Sequence, residues 1–376
     1  MSTTTLSILK NTFLVVGCLL LPLLAPAQVL TDPTVQQTVL KTLDAIYNMD
    51  FPDADTQIRQ LQTQYPQHPI GPILRATQLE LQYLPLHENK AATAQFVQAV
   101  DQGLTLAKKM LDKDEGDPEA VFFALTAHSY LASLYNNKSE SLKAVGESKK
   151  AYNYLREGFV LMGKNPDFYF TTGLYNYYIE RYPMDHSIVK PFMLFFEDGD
   201  MPKGLKQMDI ATKKGLFMRP VANYYLAHIL LKHEMDPAKA VVYAKYLADK
   251  YPKNPLFGMT CAESLLLSGR YVEARPYVQR LKQMPNKLVP MAVHTFTGML
   301  AEYADKDDKE AVESYEIALR LPFNDPYTKE YHAFAYAGLA RIAARANDQN
   351  RAKINYKKAL AIGQYKSLIR EAKAFK

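Results

Sequence analysis

At 376 residues the chain is longer than one hydrophobic core usually supports. With 16 glycines, 26 tyrosines, no tryptophan and no long β-branched alternating stretch, it reads as nearly all helix rather than as an α/β sheet protein. The net charge of +6 is mild and spread along the chain, with no Lys/Arg block interleaved with aromatics, so nucleic acid is not an expected partner. Of the two cysteines, Cys18 and Cys261, only Cys261 would remain after cleavage at Ala27, and one cysteine makes no intramolecular disulfide.

Residues 1–27 have the pattern of an export leader: Lys10 supplies a positive start, Phe13 to Leu24 is a 12-residue apolar run, and Ala25-Pro26-Ala27 offers small residues for cleavage before Gln28. That run is short for a bilayer span. The expected product is exported and periplasmic. The alternative is a lipid anchor, since Val15-Val16-Gly17-Cys18 has lipobox character, although the apolar run continues past Cys18 through Leu24. Membrane association is expected only if Cys18 is lipidated.

Beyond the leader, Asx-Pro pairs punctuate the chain at Asp32-Pro33, Asp117-Pro118, Asn165-Pro166, Asp236-Pro237, Asn254-Pro255 and Asp325-Pro326. Asp or Asn at an N-cap accepts from an orphan amide, and proline at the first helical position has no amide to orphan. Each pair predicts a helix start. Residues 28–220 read as irregular helical repeats. The stretch from Asn136 to Glu147 is polar and lengthens its two helices, and a second, apolar insert spans Pro183 to Met201. Glu197-Asp198-Gly199-Asp200 has too few oxygens at alternating positions for a calcium loop and predicts a cap on the helix beginning near Pro202.

From 221 to 366 the pattern is regular. Ala240, Ala244 and Leu247 are followed by Pro252. Ala274, Val278 and Leu281 repeat the grid 34 residues on, and Ala311, Tyr315, Ala318 and Ala352, Tyr356, Ala359 repeat it again. Residues at i, i+4 and i+7 share one helix face. Small side chains there let two helices approach to about 8–10 Å. Such a face recurring at this period predicts stacked helical hairpins. Cys261, inside the apolar stretch Phe257 to Leu267, is expected to be a small buried residue.

These residues resemble the tetratricopeptide repeat superfamily. Residues 333–366 carry Tyr336, Leu339, Ala340, Ala352, Tyr356 and Ala359. Residues 255–288 carry Cys261, Ala262, Leu265, Ala274, Val278 and Leu281. Residues 221–254 carry Tyr224, Ala227, Leu231, Ala240, Ala244, Leu247 and Pro252, with His228 in place of the usual small residue and expected to loosen the packing. Near the start, Ala54, Ile58, Leu61 and Pro66 match a second-helix half. The block from Gly173 to Leu205 is similar to an arrangement in exported bacterial proteins with these repeats. The resemblance implies an all-α solenoid, a right-handed superhelix of roughly eight hairpins closed by a capping helix over 367–376, with Leu368 and Ile369 covering the last hairpin.

It also implies that the first helix of each hairpin lines a concave surface. By register that surface takes in Tyr225, Ile229, Lys232, His233, Met259, Glu263, Leu266, Ala337, Arg341 and Arg345. A groove of this kind suits an extended peptide or a partner's helix, and Lys232, Arg341 and Arg345 would favour acidic ligands. The implied function is a non-enzymatic protein-interaction scaffold of the bacterial cell envelope. A second candidate site is aromatic, with Tyr175, Tyr178, Phe192, Phe195 and Phe196 walling a pocket for a small molecule or lipid. A third reading is a passive structural subunit of an envelope assembly. The sequence has no HExxH, no Gly-rich phosphate loop, no nucleophile elbow and no indicated carboxylate pair, so neither an enzyme nor a metal or cofactor site is expected.

Overall fold

The computed structural model describes residues 29–185, 196–325 and 327–375. The leader, Cys18, most of the apolar insert with Phe192 and Phe195, and Pro326 lie outside the described residues. The chain divides into two units at residue 37. In the described part of the first, Asp32 accepts from the Thr34 amide at 2.7 Å and so opens a helix at Pro33, while Gln36 donates to the Leu30 carbonyl at 2.7 Å.

Among the described residues the helices pair into eight successive hairpins and a last short helix. The first four are α1 (Pro33–Tyr47) with α2 (Phe51–Gln64), α3 (Ile70–Gln82) with α4 (Lys90–Leu111), α5 (Pro118–Asn137) with α6 (Ser141–Leu161), and α7 (Phe168–Asp185) with α8 (Met201–Lys214). The next four are α9 (Arg219–Lys232) with α10 (Pro237–Lys250), α11 (Pro255–Leu267) with α12 (Tyr271–Leu281), α13 (Val289–Leu300) with α14 (Asp308–Arg320), and α15 (Lys329–Arg345) with α16 (Gln349–Ile362). α17 (Lys366–Ala374) follows. From α2 onward consecutive helices pack on one another, and first helices pack on the next first helix along α9, α11, α13, α15 and then α17. This is the expected all-α solenoid of stacked hairpins.

The Asx-Pro pairs start helices as expected at α1, α5, α10 and α11. Asp117 accepts from the Glu119 and Ala120 amides at 2.8 and 2.9 Å, and Asp236 from Lys239 at 3.0 Å. At Asn165-Pro166 the helix begins later, at Phe168, because Asn165 closes a tight turn on the Asp167 amide. Asp200 caps α8 by accepting from Lys203 at 2.9 Å. The stretch around Asn136 is not a loop: it lengthens α5 and α6 to 20 and 21 residues.

The small-residue grid is the hairpin seam. Ala240, Ala244, Ala274, Ala311, Ala318, Ala352 and Ala359 are all 0% exposed. A close backbone approach joins α7 to α8, where a methyl group on Gly204 would lie 2.6 Å from the Gly173 carbonyl oxygen and one on Gly173 would lie 2.8 Å from that of Gly204. His228 faces the next hairpin. Its ring meets Tyr224 edge-on at 4.3 Å and lies 3.4 Å from the Thr260 hydroxyl on α11, while Ala227 is the fully buried residue beside it.

The stack is not open along its whole length. The turn after α1 meets the turn before α11: Tyr47 packs on Tyr251 and Phe257 at 5.8 and 5.9 Å, Tyr251 donates to Asp44 at 2.7 Å, and Asn254 donates to the Tyr47 carbonyl at 2.9 Å. One hairpin further on, Glu88 pairs with Lys287 and accepts from Asn324 at 3.0 Å. A pure nearest-neighbour stack does not have these contacts. They arise because Asn254 and Glu88 sit at hairpin ends, where polar groups freed from the helices find partners on the adjacent coil.

Candidate functional site

The first helices α9, α11, α13 and α15 place the expected surface residues in three different situations. Ile229 and Met259 are 0% and 2% exposed and belong to the core, Ile229 among Phe170, Tyr177 and Met208. His233 is buried between Tyr177 and Tyr178, with ring centres 6.2 and 6.0 Å away. Tyr225 is exposed, with its ring edge-on to Phe170 at 5.4 Å. On α3, Thr77 bonds the Tyr130 hydroxyl of α5 at 2.8 Å, and Glu80 of the same helix raises that hydroxyl further, after burial. Burial alone pushes the Glu80 carboxyl up to about 7. The first helices of hairpins two and three therefore meet.

The remaining residues form one connected face, and a segment of the same chain lies on it. After Gly363 the backbone crosses α15: the Gln364 amide donates to Glu330 at 3.0 Å and the Gln364 side chain accepts from Lys232, 132 residues earlier. Tyr365 is 3% exposed, packs edge-on against Phe334 at 5.0 Å and faces Glu263. Leu368 and Ala372 are buried, and Glu371 accepts from Arg341 at 2.9 Å and from Tyr356 at 3.0 Å. Beside Leu368 a cleft of ≈ 250 Å³ opens between Leu266, Phe334, Ala337 and Arg341.

Charge on this face is organised around Glu302, which lies in a π-helical turn, Ala301–Asp305, directly after α13. Arg341 grips both its oxygens at 2.9 and 2.8 Å, Arg345 reaches it at 3.1 Å, and the Tyr315 hydroxyl donates at 2.8 Å. Burial would raise this carboxyl, but the Arg341 bonds and charge outweigh it and hold Glu302 below its ordinary range. Arg345 also pairs with Asp308. Arg341 and Arg345, expected to favour an acidic ligand, are thus both paired with carboxylates of the chain.

Glu263 is the opposite case. Burial pushes its carboxyl up to about 7, and the Tyr365 hydroxyl, the Glu330 charge and the Tyr331 hydroxyl only modulate that rise. Tyr331 lies 3.4 Å from its Oε2, while Oε1 has no hydrogen-bond partner. Cys261 is fully buried and its thiol is pushed up to about 12, an inert packing residue.

The described aromatic residues do not converge on one pocket. Tyr175 packs against Tyr152 and Phe159 of α6 at 5.5 and 5.9 Å and donates its hydroxyl to the Glu197 carbonyl at 2.6 Å. Phe196 joins that group through Tyr152 at 5.1 Å. Tyr178 faces Tyr177 and His233 instead. Phe192 and Phe195 lie outside the described residues.

Glu302, Glu371, Tyr365 and Glu80 escape a reading by repeat register. Glu302 and Glu371 find their partners on the adjacent hairpin and Tyr365 reaches Glu263 two hairpins back, whereas register specifies only which face a residue occupies. One signal was available: Tyr365, Leu368 and Glu371 fall three apart, a helix face that presents an aromatic, an aliphatic and an acid.

No family model and no curated protein matches the chain. Among solved structures, it is similar to yeast Tom70, with a TM-score of 0.39 and 15% identity over 81% of this chain and 63% of that one. It is also similar to the human IFIT1 dimer with PPP-AAAA, with a TM-score of 0.36 and 14% identity over 82% of this chain and 78% of that one. The match therefore spans less than two thirds of the Tom70 chain.

Proposed function

We propose that the chain is a non-enzymatic protein-interaction scaffold whose inner face, built by the first helices of hairpins five to eight, holds a peptide or helix of a partner. One observation carries this reading: Lys232, Glu263, Leu266, Ala337 and Arg341 form a continuous face, and that face already binds polypeptide, residues 363–375 of the same chain. A surface that accommodates a tyrosine, a leucine and a carboxylate from one helix has the chemistry of helix-in-groove recognition. Affinity spread over several repeats makes single substitutions on the face cost about 1 kcal/mol each and combinations more.

We further propose that the scaffold works in a bacterial envelope, in the periplasm, after removal of residues 1–27. The positive start, short apolar run and Ala25-Pro26-Ala27 support this. Mass measurement of the mature amino terminus tests it: a product beginning at Gln28 fits, whereas an acylated Cys18 makes the protein a lipid-anchored one.

The scaffold reading is tested by photo-crosslinking in the cells that make the protein. A crosslinking residue replacing Tyr225 or Lys232 is expected to trap a protein partner, and one replacing Val242, 66% exposed on the second helix α10, is not. Partners trapped only from position 242 would overturn the inner face as the binding surface.

A further inference from the structure

Residues 363–375 do more than cover the end of the stack. A cap needs to shield only α15 and α16. This segment instead reaches Lys232 on α9 and Glu263 on α11, three and two hairpins back. Its fit there is incomplete. Glu263 Oε1 is left without a hydrogen bond, and the cleft of ≈ 250 Å³ beside Leu368 stays unfilled by it. The ion pair that secures its middle, Glu371 with Arg341, leaves the Glu371 side chain 37% exposed. A nine-residue helix has little stability of its own and stays folded only through what it docks on.

We propose, resting on the scaffold reading above, that residues 363–375 are a displaceable internal ligand. The inner face of hairpins five to eight is then specific for a partner helix that repeats their pattern: tyrosine, then leucine three residues on, then a carboxylate three further. The tyrosine enters beside Phe334 and Glu263, the leucine goes over the cleft, and the carboxylate takes Arg341 from Glu371. A partner side chain larger than leucine fills the cleft that Leu368 leaves open. Because the resident segment is tethered, it competes at an effective concentration in the millimolar range, on the order of what short linkers give. An outside helix therefore binds weakly until the segment is released, and release is where binding is regulated.

The probe is a labelled synthetic peptide of residues 362–376, titrated into the full chain. Wild type is expected to bind it weakly. The full chain carrying Tyr365→Ala, Leu368→Ala and Glu371→Gln is expected to bind it saturably and at least tenfold more tightly, and a peptide with Glu371→Arg is expected to lose that gain. Equal binding to wild type and variant, or no binding by a variant of native helicity, overturns the proposal. If the triple variant does not fold, the single Glu371→Gln chain decides, with severalfold tighter binding than wild type expected and unchanged binding contradicting it. A wild-type chain that instead dimerises by exchanging 363–375 between copies would make the occupant a second copy and overturn a heterologous partner. A crosslink at 225 or 232 without peptide binding ends this proposal and leaves the scaffold reading standing.

Discussion

Arg341 and Glu302 are joined by two parallel hydrogen bonds, 2.9 and 2.8 Å, although 39 residues separate them. The pair ties the first helix of the eighth hairpin to the π-turn of the seventh, and Glu302 is 3% exposed. Breaking a buried pair by removing one partner leaves an uncompensated charge and costs about 3–5 kcal/mol. Arg341→Ala is therefore expected to lower the urea midpoint of unfolding by that order. Arg341→Lys restores only part of it, because an ammonium cannot present two parallel donors. A loss under 1 kcal/mol, typical of exposed pairs, would contradict this placement.

Asn254 has two duties and Asp236 one. Both cap a helix, but Asn254 also donates to the Tyr47 carbonyl across the coil. Losing a cap costs about 1 kcal/mol, and leaving a buried carbonyl unpaired adds about 1–3 kcal/mol. Asn254→Ala is expected to destabilise clearly more than Asp236→Ala and to speed hydrogen exchange in α2 (Phe51–Gln64). Equal costs would mean that the contact between coils contributes nothing.

Gly204 sits where α7 and α8 touch backbone to backbone. Gly204→Ala forces the two helices apart, and overpacking of this kind costs about 1–3 kcal/mol. That more than cancels the ~1 kcal/mol of helix propensity gained on replacing glycine with alanine. Thermal melting is expected to fall. A raised melting temperature would show that the helices do not approach this closely.

Glu263 makes stability depend on pH in a known direction. Its folded-state value, about 7, lies above the ordinary 4.5. Its contribution is therefore full below about pH 4.5, declines as pH rises, and is gone above about 7. The amount at stake is on the order of 3 kcal/mol at most. Glu263→Gln does not titrate, so it is expected to gain on wild type between pH 5 and pH 8 in denaturant unfolding. A difference that does not change with pH would contradict a buried carboxyl at this position.

Much of the fold is legible in the sequence, because its causes are local and periodic. Ala240, Ala274, Ala311 and Ala352 announce the hairpin seam by spacing alone, and Asp117-Pro118 and Asp236-Pro237 announce helix starts by cap chemistry. The inner face is less legible. Register assigned Ile229 and Met259 to a surface, yet they are core, since each first helix also packs on the first helix of the adjacent hairpin. Nothing in spacing tells that Arg341 is consumed by Glu302, or that Tyr365 turns back toward Glu263, because those pairings are set by the curvature of the stack.

The most direct test is hydrogen exchange across the whole chain, alone and with its crosslink-identified partner bound. Slower exchange in α9, α11 and α15, with faster exchange over 364–375, is the predicted result. Slower exchange confined to the second helices α10, α12 and α14, with 364–375 unchanged, would contradict the inner face as the site of binding.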